Sequence, residues 1–166
     1  MRQIRANVFE TNSSSTHSLV LMKNRNERYT HNEMYEELKH SIKDGIYKPW
    51  DELYFGRSPF KILTSFREKL HYAYANTHGI EDRMEKVTET LTSLVPEIYG
   101  FESRDYIGVD ETTLPYWLTE LGITLEEFLT NKKYAVVCDG DEYCIWEDLK
   151  KKGIINTDAI EKEIDV

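Results

Sequence analysis

The spacing of hydrophobic residues changes along the chain, and this change limits the folds open to it. Residues 2–10 alternate between apolar and polar side chains, and residues 15–22 are also typical of a strand. Three central segments, at about 30–44, 59–76 and 81–95, carry apolar residues at helical spacing. Because strands and helices do not alternate regularly, the pattern predicts an α+β fold rather than a parallel α/β sheet.

Local start and stop signals predict where the three central helices begin and end. Thr30 and Glu33 have the spacing of a capping box, and Gly45 is expected to end the first helix. Ser58-Pro59 combines a capping hydroxyl with a proline at the first helical position, which predicts the start of the second helix. The aromatic segment 46–57 between them is predicted to be a loop.

Two β-hairpins are predicted to flank the helices. Residues 2–10 and 15–22 would form an N-terminal hairpin. After short helices at 111–121 and 125–131, a β-rich run beginning at Tyr134 reaches the turn signal Asp139-Gly140. Tyr143–Trp146 would be the return strand of this second hairpin, and the last 20 residues are predicted to be helical.

The charge of the chain is distributed unevenly. The 166 residues suit one domain, 1–166, with a net charge of −9. Residues 1–100 hold 14 Lys and Arg and 14 Asp and Glu, whereas residues 101–166 hold 7 against 16. We expect this acidic α+β subregion to repel nucleic acid and favour basic partners, although solubility alone would also explain it.

The cysteine count and the hydropathy indicate the setting of the chain. Two cysteines, Cys138 and Cys144, make no disulfide framework and are interpreted as packing residues, so a reduced intracellular environment is expected. No apolar run approaches the length of a membrane span, and no signal core is present, so no membrane association is predicted.

The polar heptad Asn12-Ser13-Ser14-Ser15-Thr16-His17-Ser18 is the first candidate site. If Thr11–Ser14 form the hairpin loop, Glu10 lies opposite Ser15 and Val8 opposite His17. Glu10, Ser15 and His17 would then share a face as orienting group, nucleophile and base, which is the arrangement of an activated hydroxyl.

The heptad also allows other interpretations. Its remaining members are candidate ligand-binding residues, because their backbone N–H groups could turn toward an anion: Asn12, Ser13, Ser14, Thr16 and Ser18. A register shift of one residue would move His17 to the opposite face. The heptad could then be only a turn, a partner contact, or a strand with a structural histidine.

The acidic subregion holds the second candidate site. Its predicted partner-binding residues combine carboxylates with an aromatic anchor, and they are Asp139, Asp141, Glu142, Trp146, Glu147 and Asp148. Asp139, Asp141 and Glu142 could hold Mg²⁺ if the protein is an enzyme. No other cofactor and no zinc-type spacing of His and Cys is predicted.

A modest basic patch is the third candidate surface. It comprises five residues near the N-terminal hairpin, namely Arg2, Arg5, Lys23, Arg25 and Arg28. These side chains could contact a phosphate backbone, which predicts direct nucleic-acid contact. Charges at strand edges are also common for another reason, because they deter strands of other chains from pairing.

The stretch VFETNSSSTHSL resembles the N-terminal signature of a group of uncharacterised bacteriophage and prophage proteins. The resemblance covers residues 1–21, in which a basic strand precedes the TNSSS-x-H-S motif. It implies a viral accessory protein working in the cytoplasm of a bacterial host. It supplies no catalytic residues.

Two functional hypotheses follow. The first is a phage-encoded protein that binds and inhibits a host protein, such as a nucleic-acid-handling defence complex, in the manner of an anti-CRISPR antagonist. The second is a small enzyme or nucleotide-binding protein, either hydrolase- or nuclease-like or a transferase, that uses the Ser and His cluster of residues 10–18. Whether the protein is an enzyme stays open at this stage.

Overall fold

The structure is a computed structural model that describes residues 14–23, 25–49, 53–55, 61–77, 81–102, 106–107, 112–139 and 155–165. Several residues named in the sequence predictions lie outside these described residues: Arg2, Arg5, Val8, Glu10, Asn12, Ser13, Ser58, Pro59, Asp141, Glu142, Cys144, Trp146, Glu147 and Asp148.

Helices form most of the middle of the described chain. They are α1 (His31–Leu38), α2 (Phe66–Ala75), α3 (Glu81–Leu94), α4 (Thr113–Leu121) and α5 (Leu125–Thr130). A short 3₁₀ helix, Lys39–Ser41, continues from α1. The predicted positions of α3, α4 and α5 are confirmed to within about two residues.

The main sheet joins strands from both ends of the chain. Its four strands are antiparallel in the order β5-β8-β1-β9, with β1 at Ser14–Met22, β5 at Lys61–Leu63, β8 at Tyr134–Asp139 and β9 at Ile155–Asp165. Two smaller sheets pair β2 (Ile42–Lys43), β3 (Ile46–Tyr47) and β6 (Gly100–Phe101), and β4 (Leu53–Tyr54) with β7 (Tyr106–Ile107). The predicted α+β class is confirmed.

The pairing predicted for both hairpins is wrong, because the strands concerned have other neighbours on both edges. His17 in β1 lies opposite Cys138 on one side and Lys162 on the other, so it does not face Val8. Likewise, β8 lies between β5 and β1, so its residues have no edge left for Tyr143–Trp146. Ser14 begins β1 and is not part of a loop.

Three further predictions are corrected. The first helix ends at Leu38, and Gly45 lies in the turn between β2 and β3. The second helix begins after Ser65, since Lys61–Leu63 form β5, and the predicted loop 46–57 contains β3 and β4. The C-terminal segment predicted as helical contains β9, because it pairs with β1 along most of that strand.

Side-chain capping explains where three helices begin. Thr30 and Glu33 form the predicted capping box at α1. Ser65 and Glu68 form a second one at α2. Thr124 accepts a hydrogen bond from the backbone N–H three residues later and so caps α5. Each cap satisfies N–H groups that a helix otherwise leaves without a partner.

The hydrophobic core surrounds α2, which is buried from Lys69 to Ala75. Leu19 and Val136 of the main sheet and Trp117 of α4 belong to the same buried cluster. Among the helices of the described stretches, none combines the length and apolar character needed to cross a membrane.

Candidate functional site

The register of the main sheet places a hydroxyl residue of β1 between acidic residues of both neighbouring strands. Thr16 lies opposite Asp139 on β8 and opposite Glu163 on β9. Residues directly opposite each other in a sheet share a face, so these three positions form one row across the sheet.

In the neighbouring rows the residue on the β9 side is again acidic. Ser14 lies opposite Asp165, and Ser18 lies opposite Glu161. Positions two apart along a strand share a face, so these rows lie on the same face as the row of Thr16. We call the four acidic positions of this face the acidic strip: Asp139, Glu161, Glu163 and Asp165.

The acidic strip lies beside the hydroxyl residues of the polar heptad. The sheet therefore brings together the heptad and the acidic subregion, which the two functional hypotheses assign to separate sites. Of the predicted partner-binding residues, Asp139 lies in the described part of the chain and belongs to the strip. The hydroxyl residues Ser14, Thr16 and Ser18 come from the heptad. The acidic residues of β9 were missed because that segment was predicted to be a helix, although their alternation is a signal for a strand.

The face that carries the acidic strip changes character along β1. Ser18 is 4% exposed, and Val137 opposite it on β8 and Val20 two positions further along β1 are fully buried. Asp139 and Asp165 lie toward the opposite end of the face, beside Thr16 and Ser14. The strip therefore begins next to a buried apolar region and extends away from it.

His17 lies on the other face of β1 and is fully buried. Its Nε2 atom is 2.7 Å from the backbone oxygen of Phe55, and its Nδ1 atom is 2.8 Å from the hydroxyl of Tyr72. A carbonyl oxygen only accepts hydrogen bonds, so Nε2 carries the proton of the neutral ring and donates a hydrogen bond to Phe55. In the neutral ring Nδ1 then accepts a hydrogen bond from Tyr72.

Burial lowers the pKa of His17 to about 4, although the hydrogen bond to Phe55 acts in the opposite direction. The imidazole is therefore neutral at physiological pH, and its basic nitrogen already accepts the Tyr72 hydroxyl. The ring of Tyr72 in turn stacks on Trp117 at a centroid distance of 5.7 Å. This setting matches the interpretation of His17 as a structural histidine.

The catalytic set predicted from the sequence is not assembled in the described residues. A base must be free to accept the proton of its nucleophile, and His17 binds Tyr72 and Phe55 instead. Glu10 lies outside the described residues. The predicted roles of Ser15 and Glu10 stay predictions.

The predicted basic patch is partly engaged in ion pairing. Lys23 and Arg25 are exposed. Arg28 instead forms a two-pronged ion pair with Glu127, in which its second nitrogen is 3.1 Å from the carboxylate. This pair raises the pKa of Arg28 and lowers that of Glu127. Nucleic-acid contact by the patch stays a prediction.

Lys69 is a buried cationic residue that the sequence reasoning missed. Its Nζ atom donates to the backbone oxygens of Phe128 at 2.9 Å and Asn131 at 3.0 Å, at the C-terminal end of α5. Burial lowers the pKa of Lys69 to about 7, against the opposing effect of Glu37 and Glu127. Because the side chain is fully buried, it holds α5 against α2 and does not offer a nucleophile.

Cys138 is a packing residue, as predicted from the sequence. It is 1% exposed, and burial raises the pKa of its thiol to about 12. A thiol of this kind stays protonated and is a poor nucleophile. Within the described stretches, no group of three His, Cys, Asp or Glu residues is positioned to hold a metal ion.

Comparison of the chain with protein-family models, with curated protein sequences and with solved structures finds no match.

Proposed function

We propose that this protein is a phage-encoded accessory protein that binds a basic surface of a host protein and inhibits it. The observation that carries the proposal is the acidic strip, in which carboxylate positions of two strands flank the hydroxyl residues of β1. The excess of acidic residues in positions 101–166 adds a long-range field of the same sign. Such a field speeds association with a positively charged partner and repels competing nucleic acid.

A basic groove that normally holds nucleic acid is the partner surface that best fits the strip. Alternate positions on an antiparallel strand are about 6.8 Å apart, so Glu161, Glu163 and Asp165 supply a regular row of negative charges. Each strand of DNA carries one charge per roughly 3.4 Å of helix axis. The row therefore has about half that density, and Asp139 adds a charge on β8, on the far side of β1. We propose a nucleic-acid-handling defence complex of the bacterial host as the target class.

Binding is favoured over the enzymatic alternative for a physical reason. The alternative requires a basic imidazole beside a nucleophile, whereas His17 is buried, neutral and hydrogen-bonded through both ring nitrogens. Binding through the strip requires only that its carboxylates reach the partner. It needs no proton transfer by any member of the heptad.

The test compares two triple variants of equal charge change. The strip variant is Glu161→Gln, Glu163→Gln and Asp165→Asn. The matched control is Glu85→Gln, Glu89→Gln and Glu120→Gln, which removes three exposed carboxylates from α3 and α4. Tagged proteins are mixed with bacterial lysate, and the retained host proteins are quantified by mass spectrometry at low and high salt.

We expect the wild type and the control to retain the same basic host protein, and the strip variant to retain about tenfold less. Raising the salt concentration to about 0.5 M should release the host protein from the wild type, because exposed charges are then screened over a few ångströms. The purified target should then lose its nucleic-acid-dependent activity when the wild type is added. Equal retention by both variants, or a target whose activity is unchanged, would contradict the proposal.

A further inference from the structure

A cleft is lined by residues of the helices α2, α3, α4 and α5. Its volume is about 190 Å³. Most of its lining is aliphatic, from Ala73, Val87, Leu114, Pro115, Leu118 and Leu125. Pockets for drug-sized ligands measure roughly 300–1,000 Å³, so the occupant of this cleft would be a small molecule with an apolar body.

Among the described residues that line the cleft, the two charged ones are both cationic. Arg83 and Lys86 line it from α3, about one helical turn apart. None of its lining residues in the described part of the chain is acidic, although the chain has 30 Asp and Glu residues. Long basic side chains can lay their methylene stems along an apolar wall and keep the charge at its rim. The cleft therefore offers a positive group beside an apolar surface on an acidic protein.

The polar groups that line the cleft hold its walls together. The Asn76 side chain donates to the backbone oxygen of Tyr72 at 2.8 Å and accepts the N–H of Leu114 at 2.9 Å, which links α2 to the start of α4. The Thr77 hydroxyl donates to the backbone oxygen of Tyr74 at 2.6 Å. Both side chains are nearly fully buried. A cleft held open in this way loses little conformational freedom when a ligand binds.

We propose that this cleft binds a small aliphatic carboxylate. The hydrocarbon chain would lie between Leu114, Leu118 and Val87, and the carboxylate would lie at the rim beside Lys86 and Arg83. The charge complementarity specifies the anionic head, and the volume and the aliphatic lining specify the short apolar body. This site is separate from the acidic strip and does not depend on the function proposed above.

The test uses octanoate as the probe and octanamide as its uncharged counterpart. Binding is followed by amide chemical shifts of the full chain in two-dimensional NMR. We expect octanoate to bind with a dissociation constant of about 1 mM or below, with shifts at Asn76, Thr77 and the neighbouring part of α3. Octanamide should bind about threefold to fivefold more weakly, because it lacks the charge that pairs with the exposed Lys86.

Two variants localise the effect. Lys86→Gln should remove most of the preference for octanoate, whereas Lys43→Gln, an exposed lysine on β2, should keep it. Leu118→Phe should fill the cleft and weaken both probes by about tenfold, with the thermal transition of the variant confirming that it folds. Absence of binding at roughly 10 mM octanoate, equal affinity for both probes, or shifts that survive Leu118→Phe would overturn the proposal.

Discussion

Three buried polar side chains of α2 and the one at its C-cap have a defined partner in another element. Lys69 binds the end of α5, His71 accepts or donates a hydrogen bond at 2.7 Å with Tyr47, and Tyr72 binds His17. Asn76 binds the start of α4. A buried polar group without its partner costs about 1–3 kcal/mol, so these contacts select one position of α2 against its neighbours.

The neutral state of His17 predicts a loss of stability in acid. The unfolded chain has a His17 pKa near 6.5, and the folded chain has one of about 4, so between these values the unfolded chain binds more protons. The contribution is fully present above pH 6.5 and is lost as the pH falls toward 4, by about 3 kcal/mol. Urea unfolding at pH 7 and pH 4.5 measures the difference in the free energy of unfolding between these pH values.

The variant His17→Gln isolates this contribution from that of the carboxylates. We expect its free energy of unfolding to be lower than that of the wild type at pH 7, and to fall less between pH 7 and 4.5. His40→Gln, which changes an exposed histidine, should retain the full fall. The same pH dependence in His17→Gln and the wild type would contradict the assignment of a buried neutral imidazole.

Two buried threonines should respond in opposite ways to the same substitution. Within the part of the chain described, the Thr113 hydroxyl has no hydrogen-bond partner, whereas the Thr77 hydroxyl donates to Tyr74. Thr113→Val removes an unsatisfied group and should stabilise the protein by about 1 kcal/mol, whereas Thr77→Val should destabilise it by about 1 kcal/mol. Chemical denaturation of both variants checks this, and a loss of stability in Thr113→Val would indicate that its hydroxyl is satisfied by bound water.

At the scale of elements, the hairpin of β2 and β3 shows how a two-residue turn depends on glycine. Asp44 and Gly45 both have positive φ, at 54° and 78°, as a type I′ turn requires. A Cβ atom at Gly45 would overlap the ring of Tyr99, whose hydroxyl donates to the backbone oxygen of Asp44. The turn is therefore constrained both by its backbone and by this ring.

Gly45→Ala should cost about 2 kcal/mol, of which about half is the strain of positive φ and half the displacement of Tyr99 with its hydrogen bond. Gly122→Ala is the matched control, since Gly122 has a φ of 65° but open space around it, and it should cost only about 1 kcal/mol. Thermal unfolding compares the two. An equal loss of unfolding free energy in the two variants would contradict this expectation, because it would show that displacing Tyr99 costs no stability.

Elements with local signals were predictable from the sequence, and those defined by distant pairing were not. The capping box of Thr30 and Glu33 is local, and it is confirmed. The same spacing at Ser65 and Glu68 is also local and marks the start of α2, whereas Ser58-Pro59 predicts an earlier start. Gly45, expected from the sequence to end the first helix, instead belongs to the local hairpin signal Asp44-Gly45. For β9 the alternation of acidic and apolar residues is a local strand signal, but its pairing with β1, far away in sequence, could not be predicted from local propensity.

The candidate site likewise combines segments that are recognisable locally with contacts that depend on distant pairing. The heptad and the acidic subregion were recognisable by composition, but their juxtaposition depends on the order β8-β1-β9. The partners of His17 come from α2 and from Phe55, and no spacing in the sequence connects them. The role of His17 therefore could not be decided before the sheet order was known.

At the scale of the whole molecule, the position of β1 between β8 and β9 predicts a gradient of local stability. Successive N–H groups of β1 point alternately to its two neighbours, so all of them can be bonded, whereas β5 and β9 lie at the edges of the sheet. Hydrogen–deuterium exchange by NMR should show the amides of residues 16–20 exchanging roughly tenfold or more slowly than those of β5. Equal rates in β1 and β5 would contradict the described strand order.

Of the four strands of the main sheet, β1 is an inner strand and also the first to be synthesised. Its two neighbours begin much later in the chain, β8 at Tyr134 and β9 at Ile155, so neither can pair with β1 until most of the chain has been synthesised. Unpaired edges invite pairing with other chains. The hydroxyl residues Ser14, Thr16 and Ser18 make β1 less apolar, which we expect to lower its tendency to aggregate before β8 and β9 are synthesised.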